Sequence, residues 1–153
     1  MRNPASLATL LLLAATTLPV CASGLDNKNF NQQSIDMLTT RASLAQPREQ
    51  CFLYAELMHQ MTEFSLRQYA AGDFDHAANL LRQVQQIAQK LHLSVIGHDE
   101  KRLKGAEILL RHTSFRLAEM LHASSSEDRP LVEQTLAEVN QAQNEAMLQV
   151  FSK

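Results

Sequence analysis

The sequence predicts an all-α fold: an antiparallel bundle of four main helices over about residues 48–71, 74–95, 99–122 and 128–152, with a short extra helix over about 34–45. Two observations carry this reading. Apolar residues recur three or four apart along each of the four stretches, the spacing that puts side chains on one helical face. Between the stretches stand residues that end one helix and begin the next: Ala71-Gly72-Asp73, Gly97 with Asp99, and Ser124-Ser125-Ser126 ahead of Pro130. A chain of 153 residues has room for one domain with a true core, and not for two.

Residues 1–22 read as a secretory signal peptide. Met1-Arg2 supplies a positive start, Leu7 to Leu18 an apolar run, and Val20-Cys21-Ala22 a cleavage site after Ala22. The run is about a dozen residues, short of the ~20 that a membrane-spanning helix needs. No later segment is apolar enough to span, so the expected location is secreted or periplasmic, without a transmembrane segment. A lipid anchor at Cys21 calls for Gly, Ala or Ser just before the cysteine, and the bulky Val20 argues against it. Removing the leader leaves Cys51 alone, so no internal disulfide is expected. Its neighbours Phe52, Tyr54 and Ala55 suit a small buried hydrophobe.

Residues 23–33 are polar and aperiodic. Ser34 is a candidate cap for a short helix over Ile35, Met37, Leu38, Ala42, Leu44 and Ala45. That pattern is thin, so 23–46 reads as a weakly structured segment ahead of a helical domain over 47–153. Pro47 then fits a first helical turn. In the helix that follows, Cys51, Tyr54, Leu57, Met58, Met61, Phe64, Ser65 and Tyr69 share a broad face. Glu56, His59, Gln60, Glu63 and Arg67 fall opposite, with Glu63 and Arg67 spaced as a surface ion pair.

At Ala71-Gly72-Asp73-Phe74 the sequence turns. Gly72 suits the left-handed conformation that closes a helix, and Asp73 suits the cap of the next. Ala77, Leu81, Val84, Ala88 and Leu91 form the second helix's stripe, flanked by Leu80 and Ile87. Gln83, Gln85, Gln86 and Gln89 lie outside it. Gly72, Asp73, Phe74, Asp75 and Ala77 match the turn that opens the second helix of a tetratricopeptide repeat. Residues 58–91 resemble one such repeat, which implies one helical hairpin of that shape rather than a peptide-binding array, since arrays need three or more.

The stretch Glu100–His122 is expected to be the central helix. Leu103, Ala106, Leu110, Leu117 and Leu121 form one stripe, with Thr113 in its gap, and Ile108 and Phe115 form a thinner one roughly opposite. The last helix opens with Glu127, Asp128 and Pro130 and continues through Leu136, Val139, Ala146 and Val150 to Phe151, broken by Gln143. It is acidic, and is expected beside the basic residues of the third. Leu103-Lys104-x-Ala106-Glu107-Ile108-Leu109-Leu110-Arg111, with Arg116-Leu117 and Asp128-Arg129-Pro130-Leu131, is similar to a family of secreted bacterial helical proteins without an assigned activity. The resemblance, carried by residues 101–131, implies an exported helical domain and nothing about chemistry.

Charge and motifs narrow the function classes. Without Arg2 there are 13 basic residues against 16 acidic, a balance of −3 with His neutral, and Trp is absent. A mildly acidic balance with no aromatic-plus-basic stacking surface sets aside sequence-independent nucleic-acid binding, which rests on clustered positive charge. No nucleophile elbow, Cys-x-x-Cys or phosphate-cradling glycine loop occurs, and the few glycines leave little irregular loop to build a catalytic site, so an enzyme is not expected. Two Glu-x-x-His pairs, Glu56/His59 and Glu119/His122, have the spacing of di-iron carboxylate bundles. The second helix has no Glu to complete that set, and both pairs lie away from the apolar stripes, so solvated faces are expected rather than a metal site, and no cofactor. Lys101, Arg102, Lys104 and Arg111 form a basic cluster diluted by Glu100 and Glu107.

The expected function is therefore a non-enzymatic, extracytoplasmic module that binds a protein or peptide, or a second copy of itself. Ile108, Phe115, Lys104 and Arg111 are its contact residues unless the N-terminal helix folds over them. The alternatives are a metal-binding bundle using the Glu-x-x-His pairs and a structural component of the envelope.

Overall fold

The computed structural model of the protein describes residues 30–94 and 100–151, with side chains throughout except at 92–94. The leader read over 1–22, and the junction at Gly97 and Asp99, lie outside the described residues. Five α-helices follow one another: α1 Gln32–Leu44, α2 Pro47–Ala70, α3 Phe74–Ser94, α4 Glu100–Ala123 and α5 Arg129–Phe151. No strand occurs among the described residues. No helix among them is long and apolar enough to cross a membrane.

Helix starts and stops have local causes. Asn31, not Ser34, caps α1: the Asn31 side chain accepts from Ser34 N at 2.8 Å, while Asn31 N donates to Ser34 Oγ at 3.1 Å. Ser34 thus serves as the third helical residue of a reciprocal capping box, and the cap lies three residues earlier than the one expected at Ser34. Pro47 occupies the first turn of α2. At the other end Gly72 has φ +84°, Asp73 N donates to Gln68 O at 2.9 Å and Gly72 N to Tyr69 O at 3.0 Å. These are the two bonds of a Schellman stop. Asp73 Oδ1 then accepts from His76 N at 3.2 Å and starts α3.

α2 packs against α1, α3 and α4, and α5 packs against α3 and α4. This places α2, rather than the Glu100–His122 helix, in the most surrounded position. The reason is visible in α2 itself: Leu53 and Leu57 are buried on a different side from Cys51, Met58 and Ser65. α1 seats Ile35, Leu38 and Ala42 in the core against α2. Ile35 and Leu38 together contribute roughly 3–6 kcal/mol of burial. The α3 stripe from Ala77 to Leu91 is buried as its spacing predicts. In α5 the buried residues are Val132, Thr135, Val139, Ala142 and Ala146, with Leu136 and Val150 at the edge of the core.

Three of the four buried polar residues, Ser65, Thr113 and Thr135, are tied to backbone, while Thr62 Oγ1 has no hydrogen-bond partner among the described residues. Ser65 Oγ donates to Ala77 O at 2.9 Å and staples α2 to α3. Thr135 Oγ1 donates to Leu131 O at 2.7 Å and accepts from Gln85 Nε2 at 2.9 Å, joining α5 to α3. One glutamine of the α3 exterior is therefore a cross-helix strut.

Candidate functional site

Glu56, His59, Gln60 and Glu63 stand three and four residues apart on α2, so helical geometry lines them along one side. That side is not solvated, as the sequence led us to expect. All four side chains are half-buried and line a cleft of about 410 Å³ with Phe30, Phe52 and Leu109. Phe30 reaches it because the Asn31 cap turns the chain into α1 at that point. Its ring meets His59 edge-on at 6.0 Å between centroids, and the Arg67 guanidinium lies 5.9 Å from its centre. Phe52 closes the opposite wall against Gly105 of α4, where a Cβ would stand 3.0 Å from the ring. Gly105 has no turn to make; its missing side chain gives the ring its seat.

The hydrogen bonds assign chemistry to the cleft. Thr113 Oγ1 spends its proton on Leu109 O at 2.8 Å, so toward His59 Nδ1, 3.4 Å away, it offers only a lone pair. That contact favours a proton on Nδ1 of His59. Gln60 Nε2 lies 3.5 Å from Glu56 Oε1, and Gln60 Oε1 is buried without a hydrogen-bond partner. Glu63 is occupied: Arg116 of α4 donates from Nε to Oε1 at 2.6 Å and from Nη2 to Oε2 at 3.3 Å. Arg116 also pairs with Glu119 one turn along its own helix. The hydrogen bond to Glu63 is the largest cause that raises the Arg116 pKa above its ordinary range, against a smaller opposing effect of burial.

The expected Glu63–Arg67 pair is thus replaced by Glu63–Arg116. Arg67 turns instead to the rings of Phe30 and Phe64, 5.9 and 5.4 Å from their centres. The ion pairs of Arg102 and Arg116 likewise run to α2, to Glu49 at 2.8 Å and to Glu63, rather than to the acidic α5.

The two Glu-x-x-His pairs do not converge. Glu56 and His59 face the cleft, Glu119 is held by Arg116, and His122 is exposed. No group of three or more His, Cys, Asp or Glu among the described residues is placed to hold a metal ion.

A second groove, about 630 Å³, lies on the other side of Arg116, lined by Leu66, Tyr69, Phe74, Met120 and Ser125 among others. The Tyr69 hydroxyl donates to Asp128 Oδ2 at 3.1 Å and accepts from Ser125 N at 3.0 Å, which ties the α4–α5 connection to the end of α2. Asp128 and Ser125 are also bonded to each other.

Lys104, Ile108, Arg111 and Phe115 step four, three and four residues along α4 and share one outer side. Ile108 is 38% and Phe115 65% exposed. α1 does not cover them, because it packs against α2. Contacts from Gln143 to Glu107 and to Ser114 fix the register of α5 beside them, and α5 adds exposed Met147 and Phe151. Sequence reasoning missed Phe30 and Gly105, whose roles depend on which helix lies opposite. It noticed Glu56, Gln60 and Glu63 but put them on a solvated face. Their shared spacing was the available signal.

No family model matches the chain, and neither a curated protein nor a solved structure matches it.

Proposed function

We propose that this is a non-enzymatic, extracytoplasmic module that binds a protein or peptide through the outer side of α4. In this reading α2–α5 form an antiparallel four-helix bundle with α1 laid on α2, and residues 1–22 direct export. Residues 101–131 align it with secreted bacterial helical proteins, and 58–91 supply one repeat-shaped hairpin. The single observation that carries the reading is Phe115, left largely open to solvent beside Ile108, with Lys104 and Arg111 along the same row. A phenylalanine buries ~150–250 Å² when covered, and contiguous exposed apolar area rimmed by charge marks contact surfaces.

The test is Ile108→Asp with Phe115→Asp, followed by circular dichroism melting and by co-purification from the native envelope. The double variant is expected to melt cooperatively, close to wild type, and to lose a partner that wild type retains. Loss of cooperative melting would make these residues core and end the reading. So would identical co-purification by both proteins.

A further inference from the structure

The Glu56 cleft stands apart from the outer side of α4 and has its own chemistry. At about 410 Å³ it falls within the ~300–1,000 Å³ of small-ligand pockets. Glu56 presents a carboxylate whose contact is the distant Gln60 amide at 3.5 Å, beyond the usual range for a strong N–H···O bond. Gln60 Oε1 has no hydrogen-bond partner among the described residues but is itself fully buried and presents no surface to the cleft, so the Glu56 carboxylate is the acceptor a ligand can reach. Glu63 is held by Arg116, which leaves Glu56 as the carboxylate of the cleft without an ion pair among the described residues. Phe30 and Phe52 supply ring surface, and the Phe30 ring already accepts a guanidinium on one side.

Each alternative ligand class fails on this inventory. An anion would be repelled by the Glu56 carboxylate, and the Arg116 guanidinium is already committed to Glu63 and Glu119. A metal ion would find one uncommitted carboxylate and, among the described residues, no ligand group of three. A neutral polyol needs donors from the wall to match its own acceptors. An alkylammonium group matches what the cleft presents: N–H donors and one positive charge for Glu56, and a methylene stem for the rings. We infer that the cleft between Phe30, α2 and α4 binds a single alkylammonium group, carried by a free amine or by a lysine side chain. This rests on the cleft alone and is independent of the α4 surface.

The experiment is a backbone-amide NMR titration of the full folded chain at low ionic strength, with n-butylamine, Nα-acetyl-lysine amide and, as the neutral isostere, n-butanol. Saturable shifts are expected at Phe52, His59 and Gln60 with one or both cations. Saturation by both assigns the site to the ammonium group itself, and saturation by the lysine amide alone assigns it to a peptide side chain. Glu56→Gln is expected to weaken binding about ten- to hundredfold, the worth of a charge-assisted hydrogen bond. Glu133→Gln, the same charge change on the exposed side of α5, should leave binding unchanged. If Glu56→Gln does not fold, Glu56→Asp draws the carboxylate back by one methylene and should weaken binding several-fold. No saturable shift with either cation overturns the inference. Equal binding of n-butanol, or undiminished binding by a folded Glu56→Gln or Glu56→Asp, overturns it as well.

Discussion

Arg116 of α4 closes on Glu63 of α2 with two bonds side by side, 2.6 and 3.3 Å long, across 53 residues of chain. The Glu63 side chain is 20% and that of Arg116 38% exposed. Water therefore screens the pair from one side only.

A bidentate, half-buried pair lies above the 0–1 kcal/mol of ordinary surface bridges and below the cost of breaking a fully buried one. We expect a double-mutant cycle of Glu63→Gln and Arg116→Met in urea denaturation to return a coupling of about 1–2 kcal/mol. The same cycle with Arg67→Met in place of Arg116→Met should return about 0.3 kcal/mol or less. Equal couplings would mean that Arg67 shares Glu63 in solution.

Gly72 meets nothing within 4 Å where a Cβ would be added, so replacing it tests backbone conformation without a clash. Gly72→Ala should destabilise by about 1–2 kcal/mol, because φ +84° crowds a Cβ against its own carbonyl. Gly72→Asn should cost less, since asparagine tolerates the left-handed region. A stability within about 0.3 kcal/mol of wild type for Gly72→Ala would show that the Schellman stop rearranges.

Burial pushes the Cys51 thiol up to about 11 from an ordinary value near 9. The native state thus holds this proton more tightly than the unfolded chain does. Its contribution is complete below about pH 9 and is lost as pH rises through about 11, on the order of 2–3 kcal/mol in all. Urea melts of wild type and Cys51→Ala from pH 8 to 11 should show a shallower decline in the variant. Parallel declines would assign the alkaline loss to other groups.

α1 touches α2 alone among the helices described, so its opening need not unfold the rest. Ile35→Asp, by burying a charge at a fully covered position, should release α1 while α2–α5 stay cooperative. Hydrogen exchange should then show residues 32–44 unprotected and α3 unchanged. Uniform loss of protection would make α1 part of one folding unit.

Much of this architecture was legible because helices report themselves locally. The α3 stripe of Ala77, Leu81, Val84, Ala88 and Leu91 needs no knowledge of its neighbours. In α5 the signal is fainter, since Thr135 and Ala142 are small or polar and read weakly as core. The cleft was not legible, although its residues were noticed. Glu63 has a partner four residues away in sequence and a better one on another helix, and periodicity sees only the first. Phe30 sits in a polar stretch that carries no period at all. The second stripe of α4 was read correctly as a row, but its openness depends on α1 choosing α2.

The Tyr69 hydroxyl bridges the end of α2 to Ser125 and Asp128, 56 and 59 residues further along. A knot that spans so much chain cannot tighten until both helical pairs have been brought together, and closing that loop costs entropy that neighbouring contacts do not. Tyr69 is therefore a latch rather than a nucleus. Its loss would be felt in how fast the native protein comes apart and hardly in how fast it assembles.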